Sequence, residues 1–186
     1  MRINTDLPNM EFGSLYFYTS AIHNWRPLIH QYSFYNTITG SLSFLHKKGC
    51  IKVYAFVIMP NHIHLIWQLL KQNGKESPVA SLMKFTAHHF EQYIVQNNPA
   101  DMLNYIVDWR TRKYNFWQPE PDWFLLFKEK TTLQKLNYIH NNPLQKRWSL
   151  VADPIEYRYS SAKFYETGEK EFDFLYHYCD YNDRLS

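Results

Sequence analysis

Two apolar runs, Cys50 to Met59 and His62 to Leu70, meet across Met59-Pro60-Asn61. This junction constrains the fold more than any other part of the chain. Each run has the length and residue types of a buried strand. Proline presets its own φ and asparagine tolerates turn geometry, so the pair reads as a hairpin. The nearly continuous apolar run before the turn fits a strand covered on both faces or lying centrally in a sheet. In the second run, Asn61-His62-Ile63-His64-Leu65-Ile66-Trp67 sets two histidines on either side of one aliphatic residue. Side chains alternate along a strand, so His62 and His64 share one face, while Ile63, Leu65 and Trp67 take the other.

The flanking sequence supplies partners for that hairpin. Leu15 to His23 is aromatic and β-prone and reads as a first strand. Pro27 to Lys48 carries Leu28, Tyr32, Tyr35, Ile38, Leu42 and Leu45 at helical spacing, and Gly49 closes it. Ser77-Pro78 opens a second helix with Leu82, Phe85, Phe90 and Ile94 as its core face, stopped by Asn97-Asn98-Pro99. Pro99 to Lys113 reads as a short helix and a loop. Trp123 to Lys128 reads as the last strand. Thr131 or Thr132 then caps a final helix to about Asn142, which Pro143 ends. The first six elements are those of an α+β, ferredoxin-like split βαβ sandwich: an antiparallel sheet with helices on one face, followed by one C-terminal helix. At 186 residues the chain fits a single domain, 1–186, with a core at about 13–145 and a C-terminal extension at about 146–186.

Composition excludes some classes and leaves others open. Apolar residues at 45% predict a folded chain, and a net charge of +3 permits a nucleic-acid partner without demanding one. Aromatics at 18% serve either a core or a surface that stacks bases. Cys50 and Cys179 stand far apart, which gives no zinc-finger spacing and suits a reducing compartment. Met1 to Met10 has no signal-peptide pattern, and no apolar run is long enough to span a bilayer. The expectation is a soluble, cytoplasmic protein with no membrane partner.

Two histidines are only two metal ligands, and a metal site needs at least one more oxygen or nitrogen. A lone His-x-His is more often a pair of ordinary sheet histidines. A second constellation changes that balance: Asn137-Tyr138-Ile139-His140-Asn141-Asn142-Pro143 on the final helix. Leu133, Leu136 and Ile139 make a core face there. Tyr138 and Asn142, four apart, stand one above the other on a different face. This offers a free phenol and, one turn later, an amide oxygen as a third ligand. Lys135 lies three residues before Tyr138, where it can favour a phenolate or bind a phosphate. A histidine-triad enzyme wants a third alternating histidine where this chain has Ile66. A metal-dependent oxygenase wants a carboxylate, and none lies within His62 to Leu70.

His62-Ile63-His64, after Val57-Ile58-Met59-Pro60-Asn61, resembles the histidine–hydrophobe–histidine (HUH) motif of single-tyrosine transposases. Tyr138-Ile139-His140-Asn141-Asn142-Pro143 resembles their tyrosine helix, and Tyr159-Ser160-Ser161-Ala162 is similar to the branch called REP-associated tyrosine transposases. The resemblance runs from the first strand to about Tyr165. It implies a nucleoid-associated single-stranded DNA endonuclease and strand transferase acting near hairpin-forming repeats, as a monomer or homodimer and with no nucleotide cofactor. Tyr138 would be the nucleophile, and His62, His64 and Asn142 would hold Mg²⁺ or Mn²⁺. The product would be a covalent 5′-phosphotyrosine.

DNA contacts are expected from two stretches that mix basic and aromatic residues. Trp109-Arg110-Thr111-Arg112-Lys113-Tyr114 offers Arg110, Arg112 and Lys113, and Lys146-Arg147-Trp148 offers Lys146 and Arg147, with Lys135 beside the tyrosine. Gln118-Pro119-Glu120-Pro121-Asp122 is acidic and proline-rich, and would weaken nonspecific binding if it faced DNA. The competing reading is a non-catalytic single-strand-binding module that stacks bases on an open sheet face, with Tyr16, Phe17 and Tyr18 contributing.

Overall fold

Alternating apolar residues on three long strands give the sheet two buried faces. The computed structural model describes residues 10–108, 110–111 and 113–182. In chain order these form β1 (Leu15–Ala21), α1 (Leu28–Gln31), α2 (Tyr35–Lys47), β2 (Ile51–Ile58), β3 (His62–Leu69) and α3 (Pro78–Asn97). Then come β4 (Ile106–Asp108), β5 (Lys113–Tyr114), β6 (Asp122–Leu125), α4 (Glu129–Asn141), α5 (Ala162–Thr167) and α6 (Cys179–Asn182). The main sheet runs β2-β3-β1-β6 with every neighbour antiparallel. That is the ferredoxin-like order, so the α+β expectation holds.

One face carries Tyr16, Tyr18, Ile63, Leu65 and Trp67. They pack with Ile38, Leu42 and Leu45 of α2 and with Leu82, Phe90 and Ile94 of α3. The other face carries Leu15, Phe17, Val57 and Ile66 and packs with Leu126 and Ile139. Helix α4 therefore covers the face that bears the histidines. The open aromatic face of the competing reading does not exist, because Tyr16, Phe17 and Tyr18 are all buried. The C-terminal extension closes the β2 edge: Tyr176 N–H donates to the Val53 carbonyl (2.9 Å), and Ile58 N–H donates to the Tyr159 carbonyl (2.9 Å). Pairing the edge removes an exposed row of backbone donors and acceptors.

Four local expectations give way to packing. The helix expected over Pro27 to Lys48 is broken at Ser33, whose φ is +56°. The break lets the Phe34 ring stack on Phe90 at 4.4 Å. Phe85 is 56% exposed, because α3 turns Met83, Thr86, Ala87 and Phe90 inward instead. Pro99 to Lys113 opens with the expected short helix, a 3-10 helix over Pro99–Tyr105, but the small β4–β5 pair takes the place of the expected loop. Helix α4 starts at Glu129 with no side-chain cap, and Thr132 is buried with its hydroxyl donating to the Lys128 carbonyl.

Helix α4 is held to the sheet by little apolar area. Leu133, expected in its core face, is 47% exposed, and Ile139 is its one fully buried aliphatic side chain. Ile139→Ala is expected to cost about 2–5 kcal/mol, the usual cost of truncating a buried aliphatic. A fall in the thermal midpoint checks this.

Candidate active site

The strand register sets the first half of the site. Thr19 lies opposite His64 and Ala21 opposite His62. The two imidazoles sit with ring centroids 4.7 Å apart, both buried. Each is held through Nδ1. Thr19 Oγ1 lies 2.7 Å from His64 Nδ1, and Asn61 Oδ1 lies 2.7 Å from His62 Nδ1. The Asn61 amide nitrogen donates to the Trp25 carbonyl at 2.7 Å, so its oxygen is the atom that faces His62. The hydrogen-bond network thus assigns the His62 proton to Nδ1 and leaves Nε2 bare, the tautomer a metal ligand needs.

Helix α4 supplies the second half. The Tyr138 hydroxyl faces His64 Nε2 at 3.5 Å, and the two rings meet edge to face at 5.2 Å. One turn on, Asn142 keeps helical backbone (φ −57°, ψ −42°) as the chain enters a short 3-10 turn, so Pro143 does not divert it. Asn142 is fully buried, and neither its side-chain oxygen nor its nitrogen has a well-formed hydrogen bond. A buried amide whose hydrogen bonds are not well formed is costly. A cation bound by its oxygen would offset that cost. Among the described residues no group of three His, Cys, Asp or Glu is placed to hold a metal, so a third protein ligand has to come from another residue type. Two neutral imidazoles with a buried amide beside them fit a divalent ion.

A cavity of about 380 Å³ opens over these groups, lined among others by Trp25, Thr19, Asp122, Lys135, Tyr138 and Arg147. Lys135 Nζ rests 4.7 Å from the Phe17 ring and 5.3 Å from the Tyr138 ring. Trp148 lies 5.9 Å from His62, with Arg147 over its indole at 5.6 Å.

Burial dominates the electrostatics. The His62 pKa is lowered to about 4 by burial first and by the Arg147 charge second, while the nearby Asn142 side chain opposes the shift. His64 is held well below the ordinary histidine value by burial, then by His62, Lys135 and Arg147. Both rings are neutral at pH 7, and Lys135 and Arg147 outnumber the Asp122 carboxylate on the cavity wall, which suits a phosphate.

His140, on the same helix, is lowered to about 4 by burial. Its Nε2 lies 2.9 Å from Ser161 Oγ, which also accepts from the Phe56 N–H. Ser161 thereby ties the tyrosine helix to β2, which is the structural use of the Tyr159-Ser160-Ser161-Ala162 segment.

These shifts give an acid sensitivity of definite sign. Above pH 6.5 the histidines are neutral whether folded or unfolded, and contribute nothing to pH dependence. Below it the unfolded chain takes up protons that the folded chain refuses, so stability falls as pH drops from 6.5 towards 4. For His140 alone the full shift is worth about 3 kcal/mol. Urea titrations in EDTA at pH 7.5, 5.5 and 4.5 are expected to show the decline, and His140→Gln is expected to flatten it.

The structure brings together His62, His64, Tyr138, Asn142, Lys135 and Arg147. It does not bring the other expected DNA contacts to the cavity. Arg110 and Lys113 sit on the exposed β4–β5 pair, and Lys146 is exposed outside the cavity wall. Arg112 lies outside the described residues. Sequence reasoning missed Thr19 and Trp25, and it read Asp122 only as part of an acidic segment. The signal for Thr19 was its place in a strand, but its partner depends on register. No helix among the described residues is long and apolar enough to cross a membrane.

No family model and no curated protein matches the chain. Solved structures do match. A REP-associated tyrosine transposase bound to a REP hairpin aligns with a TM-score of 0.61 at 17% identity, covering 91% of this chain and 89% of its own. A protein from Deinococcus radiodurans R1 assigned as a transposase aligns with a TM-score of 0.42 at 15% identity, covering 72% of this chain and 94% of its own. The chain has the fold of a REP-associated tyrosine transposase.

Proposed function

We propose that this protein is a metal-dependent single-stranded DNA endonuclease and strand transferase, transposase-like, that cuts near hairpin-forming repeats through a covalent 5′-phosphotyrosine. The observation that carries it is the Tyr138 hydroxyl facing His64 Nε2 at 3.5 Å, beside the buried His62 and Asn142. A solved protein of the same fold is bound to a REP hairpin, which supports a hairpin partner.

His62, His64 and Asn142 would hold Mg²⁺ or Mn²⁺, which when bound would polarise the scissile phosphate as a Lewis acid. The chain's own residues do the rest. Thr19 and Asn61 orient the imidazoles. Lys135 and Arg147 balance phosphate charge at the cavity wall. Tyr138 Oη forms a bond to phosphorus as the bond from phosphorus to O3′ breaks. The proton the phenol gives up is matched by the one O3′ takes. The phosphotyrosine keeps the bond energy, so a free 3′-OH rejoins the strand without a nucleotide cofactor.

The test is covalent capture. Fluorescent single-stranded hairpins made from the repeats that flank the gene are incubated with the protein in Mn²⁺ or in EDTA, then resolved under denaturing conditions. A protein–DNA adduct that needs the metal is expected. Tight binding without an adduct on every repeat, unchanged by EDTA, would instead identify a binding module.

A further inference from the structure

Asn24 and Trp25 both hold left-handed backbone, with φ of 54° and 55°. Neither is glycine, and a bulky aromatic in this conformation is strained. The ring gains little burial in return, being 52% exposed. It stands on the cavity wall with its centroid 5.8 Å from that of His62. The segment is fastened from below. Trp25 N–H donates to the Ile22 carbonyl (2.8 Å), and Ile22 N–H donates to the Asn61 carbonyl (2.7 Å). The Asn61 side chain holds the Trp25 carbonyl and the His62 ring at once. The fold thus sustains strain to keep an indole in solvent beside the histidine pair.

Building on the proposed single-strand chemistry, we infer that Trp25 is a stacking platform for the nucleobase next to the phosphate held over His62 and His64. Strained backbone that leaves a large side chain half-exposed is expected where that side chain must be displayed to a ligand. An indole is a broad apolar face, and stacking on it accepts any base. Lys135 and Arg147 stand on the same cavity wall and complement the phosphates, so the cavity offers one surface for the backbone and one for a base. Asn61 is a positioning residue that sets the Trp25 turn and the His62 tautomer together.

Fluorescence anisotropy in EDTA, with an oligothymidine strand and an abasic strand of equal length, separates base contacts from charge contacts. Wild type is expected to prefer the base-bearing strand. Trp25→Ala is expected to reduce that preference by about tenfold while affinity for the abasic strand holds, and Trp25→Phe is expected to restore most of it. Trp25→Gly is the sharper variant. Glycine adopts left-handed backbone freely, so the thermal midpoint should hold or rise as the base preference falls. A lowered midpoint with the base preference intact would make Trp25 a structural residue and overturn the inference. If wild type binds and captures DNA but Trp25→Ala keeps the same preference, only this inference falls. If wild type binds neither strand, the single-strand reading falls and takes this one with it.

Discussion

Tyr138→Phe is expected to abolish the covalent DNA adduct and leave binding to the uncut single strand nearly unchanged. Removing an enzyme nucleophile commonly costs on the order of a millionfold in turnover. The substitution is a clean one here. The phenyl ring keeps its edge contacts with His64 (5.2 Å) and Phe17 (6.2 Å), and Lys135 keeps a ring to rest on. Among the described residues the lost hydroxyl makes one long contact, 3.5 Å to His64 Nε2. Folding stability should therefore barely move, so lost activity cannot be traced to unfolding. Denaturing electrophoresis on labelled hairpin strands in Mn²⁺ reads the adduct, and anisotropy on the same strands reads binding. An adduct that persists in Tyr138→Phe would assign the nucleophile to another residue and end the proposed mechanism.

The second large effect is expected at His64. His64→Ala removes the imidazole that faces Tyr138 and leaves Thr19 without its partner. A metal acting as a Lewis acid supplies several kcal/mol, so cleavage should fall on the order of a thousandfold. Mn²⁺ affinity, read by titration calorimetry without DNA, should fall with it. Asn142→Ala separates ligand from scaffold. The wild-type amide is buried without a well-formed hydrogen bond, so its removal costs little beyond a small void. Metal affinity should drop in Asn142→Ala even where thermal stability in EDTA does not. Unchanged Mn²⁺ affinity in that variant would remove Asn142 from the ligand set.

Much of this site is visible in the residues, and the failures have physical causes. The hairpin and the facing of His62 and His64 follow from period-two alternation, which operates within one strand. The i, i+4 relation of Tyr138 and Asn142 follows from helix geometry in the same way. Leu133 and Phe85 were misplaced because helical spacing tells that a face is apolar, not which way the helix rolls against its neighbour. The break at Ser33 was invisible because the stacking of Phe34 on Phe90, 56 positions later, outweighs local helical preference. Arg110, Lys113 and Lys146 lie away from the cavity, because a charged side chain's sequence neighbours carry no information about which surface of the fold it faces.

By itself, then, the sequence determined the strand pair, the two imidazoles on one face and the helix that carries the tyrosine and the amide, because each is written in side-chain periodicity over a few neighbours. Only the tertiary structure decided that α4 lies across the histidine face, that Thr19 meets His64 by register, and that a left-handed turn sets Trp25 at the cavity. These depend on which elements pack together and at what angle. That choice is made by the burial of whole faces and the satisfaction of backbone and side-chain hydrogen bonds across the molecule, and no local stretch of chain encodes it.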